Sequence, residues 1–308
     1  MEMKKKRRVG DKGELIFYIS LIALPLLQVL IFYFYVNFNS ILMAFQKYTL
    51  TDGFFFDKND LFTNFSKIWF ELTQSRNIIL ALKNSLLVWF FTAIVGTFLS
   101  IVFSYYIFKK WFLAKTFKFF LFLPSVLPSI LLVLVFRTFM DEVIPVVALN
   151  KFGVTMSPIF QNQKLIMPAV IFYTVFIGFG SQMLIYTGAM GQISPDILEA
   201  GKVDGVSNTR EFFSIVIPMI LPTVATFMIA HVATIFTNQA NLYSFFAHKA
   251  EVENKTIGYY LYELIQDTEQ YPERSMYNYA SAFGIICTLV AFPLTLLARK
   301  ILTRGDEA

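Results

Sequence analysis

The sequence predicts an all-α fold: a polytopic membrane bundle of six transmembrane helices with a short surface helix between the fourth and fifth. Three observations predict it. Of 308 residues, 56% are hydrophobic, 18% are aromatic and only 15% are charged, whereas a soluble globular protein carries about 25% charged residues. Six stretches run 18 residues or longer without a charged side chain. A helix of ~18 residues rises ~27 Å, close to the ~30 Å hydrocarbon core of a bilayer. No internal repeat or low-complexity tract divides the chain, so residues 1–14 read as a basic tail and 15–308 as one transmembrane domain.

The elements follow in order. Lys4-Lys5-Lys6-Arg7-Arg8 opens the chain, a pattern shared by signal peptides and lipid-binding patches. The apolar stretch behind it is long and lacks a small-x-small cleavage site, so it is expected to stay as the first span, Leu15 to Tyr35. The segment 36–84 holds mixed charge and aromatics, with an amphipathic helix predicted around Leu61 to Leu72. The second span is Ser85 to Phe108, the third Phe119 to Phe136, the fourth Leu165 to Met190, the fifth Ile215 to Phe236 and the sixth Tyr277 to Ala298. Pro25, Pro124, Pro128, Pro218, Pro222 and Pro293 fall in these spans, and each removes a backbone donor and bends or breaks its helix. The loop 243–276 is acidic, with Glu251, Glu253, Glu263, Asp267, Glu269 and Glu273 either solvated or facing a partner.

Charge sets the orientation. The segments 1–14, 109–118, 191–214 and 299–308 hold 15 lysines and arginines in 58 residues, and the alternate segments hold 11 in 111. Positive side chains stay on the cytoplasmic side, so both termini are expected there. The net charge of +5 therefore reports topology and implies no nucleic-acid partner. With a single cysteine, Cys287, the chain builds no internal disulfide and no cysteine-based metal site.

The segment between the fourth and fifth spans is the most specific. Ser194 is placed to cap a helix that begins at Pro195, with Asp196 at the positive end of its dipole. Asp204-Gly205 supplies a turn in which glycine takes a positive φ, and Ser207 or Asn208 can cap a second helix leading into the fifth span. Ala200 and Gly201 leave a shallow place on the first helix, Ile197, Leu198 and Val203 offer apolar anchors, and Glu199 offers a charge. Such a knob fits a groove on another protein, although many amphipathic loops share these features.

The run Glu199-Ala200-Gly201-x-x-Asp204-Gly205, followed by Ile217-Pro218 and Leu221-Pro222, resembles the E-A-A-x-x-D-G signature of binding-protein-dependent ABC importer permeases. Gly201 stands where the family usually has alanine, which costs the helix about 1 kcal/mol. Phe122-Leu123-Pro124-Ser125-Val126-Leu127-Pro128, Ala81-Leu82-Lys83-Asn84-Ser85, Thr256-Ile257-Gly258-Tyr259 and Asn278-Tyr279-Ala280-Ser281-Ala282 resemble elements of the carbohydrate-importing, maltose-type branch. The Gly-Gly-Gly-Pro-like turn of that branch is replaced around Ala247-His248-Lys249. The resemblance implies a multi-pass permease of a bacterial plasma membrane that is not itself an enzyme. It would pair with a second, homologous permease, two cytoplasmic ATPase subunits and an extracellular or periplasmic solute-binding protein. Glu199, Ala200, Gly201, Asp204 and Gly205 would form the contact with the ATPase.

In the spans, a sugar needs hydrogen-bonding groups that face a cavity. Thr174, Gly178, Ser181, Gln182 and Tyr186 on the fourth span, and His231, Thr234, Thr237, Asn238, Asn241 and Tyr243 on or beyond the fifth, meet that description; each also suits an interhelical hydrogen bond. The resemblance directs attention to Gly178 and Ser181 facing Thr234 and Asn238, with Gln182 and His231 beside them. His231 has no carboxylate in the inner part of any span to exchange a proton with, which disfavours a proton-coupled secondary transporter. No G-x-x-x-x-G-K-[ST] occurs, so no cofactor is expected in this chain, and ATP and magnesium would act on the partner ATPase subunits. The substrate implied is a carbohydrate, an oligosaccharide in the first instance. The runner-up is another polar solute such as glycerol phosphate, although the spans carry no arginine cluster for a phosphate.

Overall fold

The computed structural model describes residues 12–247, 249–270 and 276–303. The basic run Lys4 to Arg8, His248 and Glu273 lie outside them. The described chain is helical apart from one hairpin, in which β1 (Lys47–Thr49) pairs antiparallel with β2 (Gly53–Phe55).

The first long helix, α1 (Leu15–Met43), is followed by the surface helix α2 (Thr63–Gln74), close to the predicted amphipathic segment. Next come α3 (Arg76–Phe108), α4 (Ala114–Val126), α5 (Ser129–Phe152) and α6 (Gln163–Met190). The short α7 (Pro195–Val203) leads to α8 (Asn208–Ala233), a one-turn helix α9 (Leu242–Phe246), the helix α10 (Ile257–Gln270) and α11 (Tyr277–Leu302). Five of these helices are long and apolar enough to cross a membrane, and α4 with α5 makes a sixth crossing if taken as one broken span. The spans alternate in direction. One end of the bundle therefore carries α7 and the start of α8, and the other carries α2, the hairpin and α10.

The third span, expected from Phe119 to Phe136 with Pro124 and Pro128 bending or breaking it, is broken and longer than expected. Two helices meet in the middle of it at 109°. Pro128 forces the residue before it out of the helical region, and Leu127 is accordingly extended (φ −85°, ψ 148°). Beyond the break α5 continues to Phe152, because Arg137 reaches Asp141 one turn later (3.7 Å) and the Phe245 carbonyl (3.2 Å), so these charges are paired within the protein. The fifth span also differs: its helix ends at Ala233, and 234–241 is a turn with Ala240 and Asn241 at positive φ.

Close packing follows small residues. On α3, Ser100 Oγ donates to the Phe179 carbonyl (3.2 Å) and Ser104 Oγ to that of Met183 (2.7 Å), which draws α3 against α6. Gly180 lets α6 approach α4: a Cβ there would sit 2.0 Å from the Leu121 carbonyl oxygen. Three apolar clusters result. One lies where α5, α6 and α9 meet around Tyr173 and Phe245, one at the end with α2 and α10 around Ile68, Tyr279 and Phe283, and one beside α7 around Tyr105, Met190, Phe212 and Ile220. In contrast, the apolar window of α1 buries nothing inside this chain.

Candidate functional site: the α7 segment and the α6–α8 face

The α7 segment forms as its residues dictate. Pro195 occupies the first turn of the helix, where its missing N–H has no intrahelical partner to lose. The helix closes with Gly205 at φ +73°; the Gly205 N–H bonds the Lys202 carbonyl (3.0 Å) and the Val206 N–H bonds that of Gly201 (2.9 Å). This reciprocal pair is the Schellman motif, and it satisfies two carbonyls that a helix end leaves bare. Ser207 Oγ then accepts from the Arg210 N–H and starts α8. The expected cap by Ser194 does not form: its hydroxyl turns to the Asp196 carboxylate at 3.4 Å.

The two faces of α7 have separate jobs. Ile197, Glu199, Ala200, Val203 and Asp204 are exposed, with Val203 at 87%. Leu198 is half-buried against the apolar cluster beneath, so it is an internal contact rather than an outward anchor. Gly201 is buried as well, and a Cβ on it would stand 3.1 Å from Ile215 Cδ1. Its smallness therefore lets α7 lie on α8, and the outward knob is built by Glu199 and Ala200 with their apolar flanks.

Beneath α7 lies a charge pair that composition did not single out. Lys109 Nζ is 3.0 Å from both carboxylate oxygens of Glu211, and Tyr105 Oη donates to one of them at 3.2 Å. In the sequence Lys109 stands out only as one of the lysines that set the orientation. The available signal was a glutamate against Phe212-Phe213 at the margin of an apolar stretch, where a charge needs a partner.

On the α6–α8 face, Gln182 Nε2 and His231 Nε2 are 2.8 Å apart and bridge the two spans, and Ser100 Oγ reaches Gln182 Oε1 at 3.4 Å. Gly178 and Ser181 are exposed; a Cβ on Gly178 would meet nothing within 4 Å, and Ser181 Oγ bonds the Gly178 carbonyl. Tyr186 is fully buried, its ring 5.5 Å from Phe227 on α8. Thr234 and Asn238 do not share a helix face, because α8 stops before them. Thr234 Oγ1 bonds back to the Ala230 carbonyl (3.1 Å), and Asn238 Oδ1 accepts from the Ala240 N–H (2.8 Å), which fixes the left-handed turn that follows. The structure thus brings Gln182 and His231 together, leaves Gly178, Ser181 and Thr234 open on the surface, and gives Asn238 a local turn to hold. A separate apolar groove of about 890 Å³ lies between α1, α8 and α11 and includes none of these six residues.

The segment between α8 and α11 explains the other sequence motifs. Asn84 Nδ2 donates to the Glu253 and Lys255 carbonyls (2.8 and 2.9 Å), Ser85 Oγ accepts from the Ile257 N–H (2.9 Å), and Thr256 Oγ1 donates to the Asn238 carbonyl (3.1 Å). Gly258 lies so close to the end of α8 that a Cβ would be 2.6 Å from the Thr237 oxygen. Burial pushes the Tyr259 hydroxyl up to about 12, so it remains a donor, and it bonds the Ala247 carbonyl at 2.6 Å.

Comparison with known proteins adds three findings. The family model described as binding-protein-dependent transport system inner membrane component matches residues 93–305. Over 141 residues the chain is 27% identical to the probable ABC transporter permease protein YesP of Bacillus subtilis (strain 168), which takes in 46% of this chain and 44% of that relative. The chain thus aligns with less than half the length of that relative. The fold is similar to a chain of a bacterial ABC transporter involved in the import of the acidic polysaccharide alginate (TM-score 0.76, 20% identity, 96% of this chain and 97% of that one). It is also similar to one in the bacterial alginate ABC transporter in complex with alginate pentasaccharide-bound periplasmic protein (TM-score 0.75, 20% identity, 97% and 98%).

Proposed function

The chain belongs to the binding-protein-dependent transport system inner membrane components, and from that premise we propose that it is one of two non-identical permeases of a carbohydrate ABC importer. The observation that carries the reading is the exposed face of α7, where Glu199 and Ala200 stand between Ile197 and Val203 on a helix whose other face is packed inward. In this reading α7 is the coupling helix and seats in a cleft of a cytoplasmic ATPase subunit. ATP and magnesium bind that subunit, since this sequence has no phosphate-cradling loop. Both termini are cytoplasmic, and the end with α2 and α10 faces the solute-binding protein.

Six spans enclose too little space for an oligosaccharide pathway, which supports pairing with a second permease across the α6–α8 face. That face offers Gly178, Ser181, Gln182, His231 and Thr234 and, within α6 and α8 away from their ends, no carboxylate, lysine or arginine. Hydroxyl and amide groups beside aromatic surfaces suit a sugar. Glycerol phosphate would call for cationic side chains.

The test is copurification with an ATPase subunit, followed by uptake of radiolabelled oligosaccharide with Ala200→Trp. We expect the variant to insert and assemble normally while losing uptake. Wild-type uptake and wild-type substrate-stimulated ATP hydrolysis would overturn the coupling role of α7.

A further inference from the structure

We propose that the Lys109–Glu211 ion pair is a clasp that makes α7 move with α3 and α6 as one body, so that both residues are positioning residues for transport. The proposal rests on the reading of α7 as the coupling helix and names how its displacement reaches the spans.

The geometry is that of a tether closed at both ends. Upstream, α6 passes into α7 through a short turn, and α6 is bound to α3 by the Ser100 and Ser104 hydroxyls. Downstream, Glu211 sits in the first turn of α8, and Lys109 follows the last residue of α3. The pair therefore ties the far side of α7 back to the same helix that holds its near side. Its side chains are 16% and 5% exposed, and the Tyr105 hydroxyl adds a third bond to the carboxylate while its ring packs 4.8 Å from Phe212. The single Tyr105 hydroxyl proton is shared between that carboxylate and the nearer carbonyl of Asn208 (3.0 Å), the first residue of α8.

The chemistry chosen is informative. A buried ion pair adds little net stability over an apolar pair of similar volume, because desolvation offsets the Coulomb attraction. It differs from an apolar pair in direction: two oxygens on one ammonium fix the register of α3 against α8, and sliding one past the other would strand a charge in a medium where stranding is costly. Apolar side chains would let the same helices slip. A pull on α7 thus has to carry α3, and through α3 the α6 face that bears Gln182.

The experiment uses the complete importer with its ATPase and binding protein in proteoliposomes, and reads sugar taken up per ATP hydrolysed. Lys109→Met with Glu211→Leu removes both charges together, so no charge is left unpaired. We expect this double variant to insert and assemble like the wild type, to keep ATP hydrolysis, and to lose about tenfold in uptake per ATP, which lies within the range by which single positions alter coupling between sites. The swapped pair, Lys109→Glu with Glu211→Lys, should recover most of the loss. Wild-type uptake per ATP in the apolar pair would overturn the clasp. So would failure of the apolar pair to insert, which would make the charges a folding requirement, and so would a swap no better than the apolar pair. Ala200→Trp is run in parallel. If it uncouples while the apolar pair does not, only the clasp fails; if it leaves transport intact, the reading of α7 fails with it.

Discussion

The two ends of the bundle are held by different chemistry. At the end with α2 and α10, side-chain amides and hydroxyls bond directly to loop carbonyls, and an ion pair, Lys255 with Glu263 on α10, sits among them. Asn64 holds those of Ala44 and Gln46 (2.9 Å each), Asn278 holds Gln46 again (3.2 Å), Asn84 holds Glu253 and Lys255, and Thr256 holds Asn238. Six stretches that are separated in sequence meet there, and few of their backbone groups have a ladder or helix to satisfy them, so side chains supply the partners. At the α7 end, helices satisfy their own backbones, and α7 is joined to the rest through the Leu198 and Gly201 contacts and the charge pair behind them. The difference teaches that one end is cross-braced to keep its shape, while the other leaves a small, self-contained helix attached at few points.

Ranked by effect on stability, the strongest test concerns the helix approach that both ends share. Gly180→Val should cost more than ~3 kcal/mol, because the added carbon meets backbone that has no rotamer to yield, at 2.0 Å from the Leu121 oxygen. Gly178→Ala, two residues away and open on that side, should stay within about 0.5 kcal/mol. Melting of the purified assembly in detergent compares the two, and equal values would mean that α4 does not lie against α6 as described. Asn84→Ala comes next. It removes the donor from two part-buried carbonyls, for a loss of about 1–3 kcal/mol, measured the same way. A loss no larger than that of an exposed substitution would remove the bracing attributed to the α10 end.

Much of this was legible in the sequence because it follows from local rules. Charge-free stretches gave the number of crossings, Pro195 and Gly205 gave the limits of α7, and an amphipathic pattern gave α2. Three features were not legible. Pro124 and Pro128 announced a bend, yet its size, 109°, depends on what α4 and α5 pack against. The end of α8 at Ala233 has no proline or glycine to mark it; it is set by Asn238 and Thr256 closing a turn from outside the helix. Lys109 and Glu211 are 102 residues apart, and nothing in either neighbourhood names the other. The motif residues Asn84, Ser85 and Thr256 pointed correctly to a family but not to their work, which is to brace loops. Of the pathway residues, Gln182 and His231 meet between α6 and α8, whereas Thr234 and Asn238 lie beyond the end of α8 at Ala233.

At the α7 end the comparison predicts smaller effects on stability. Gly201→Trp should destabilise by about 1–3 kcal/mol, since its side chain has to displace Ile215, already 3.1 Å from where a Cβ would be. Ala200→Trp, on the exposed face, should change the melting temperature little, within about 0.5 kcal/mol, while abolishing uptake. If both variants melt alike, the inner and outer faces of α7 have been assigned wrongly, and the contrast between a packed face and a docking face disappears.

The smallest effect is expected from the exposed charges at the braced end. Lys47 Nζ lies 2.8 Å from Asp57 and 3.6 Å from Asp60, beside the β1–β2 hairpin, and all three side chains are in contact with solvent. The hydrogen bond to Asp57 raises Lys47 above its ordinary 10.5, and the same bond, helped by the Asn59 N–H, holds Asp57 below its ordinary 3.8. The signs follow from linkage. A depressed carboxylate contributes above its unfolded value and loses that contribution as pH falls through the lower folded value, and a raised ammonium contributes below its unfolded value and loses it as pH rises through the higher one. Between about pH 5 and pH 9 the pair is therefore constant, and what it adds is screened by salt because water reaches it. Lys47→Met should leave the melting temperature almost unchanged across that range, and raising the salt should narrow any gap that remains. A drop as large as that of Asn84→Ala would mean that exposed charge, and not only the Lys255–Glu263 pair, holds the α10 end, and amide bracing would no longer set that end apart.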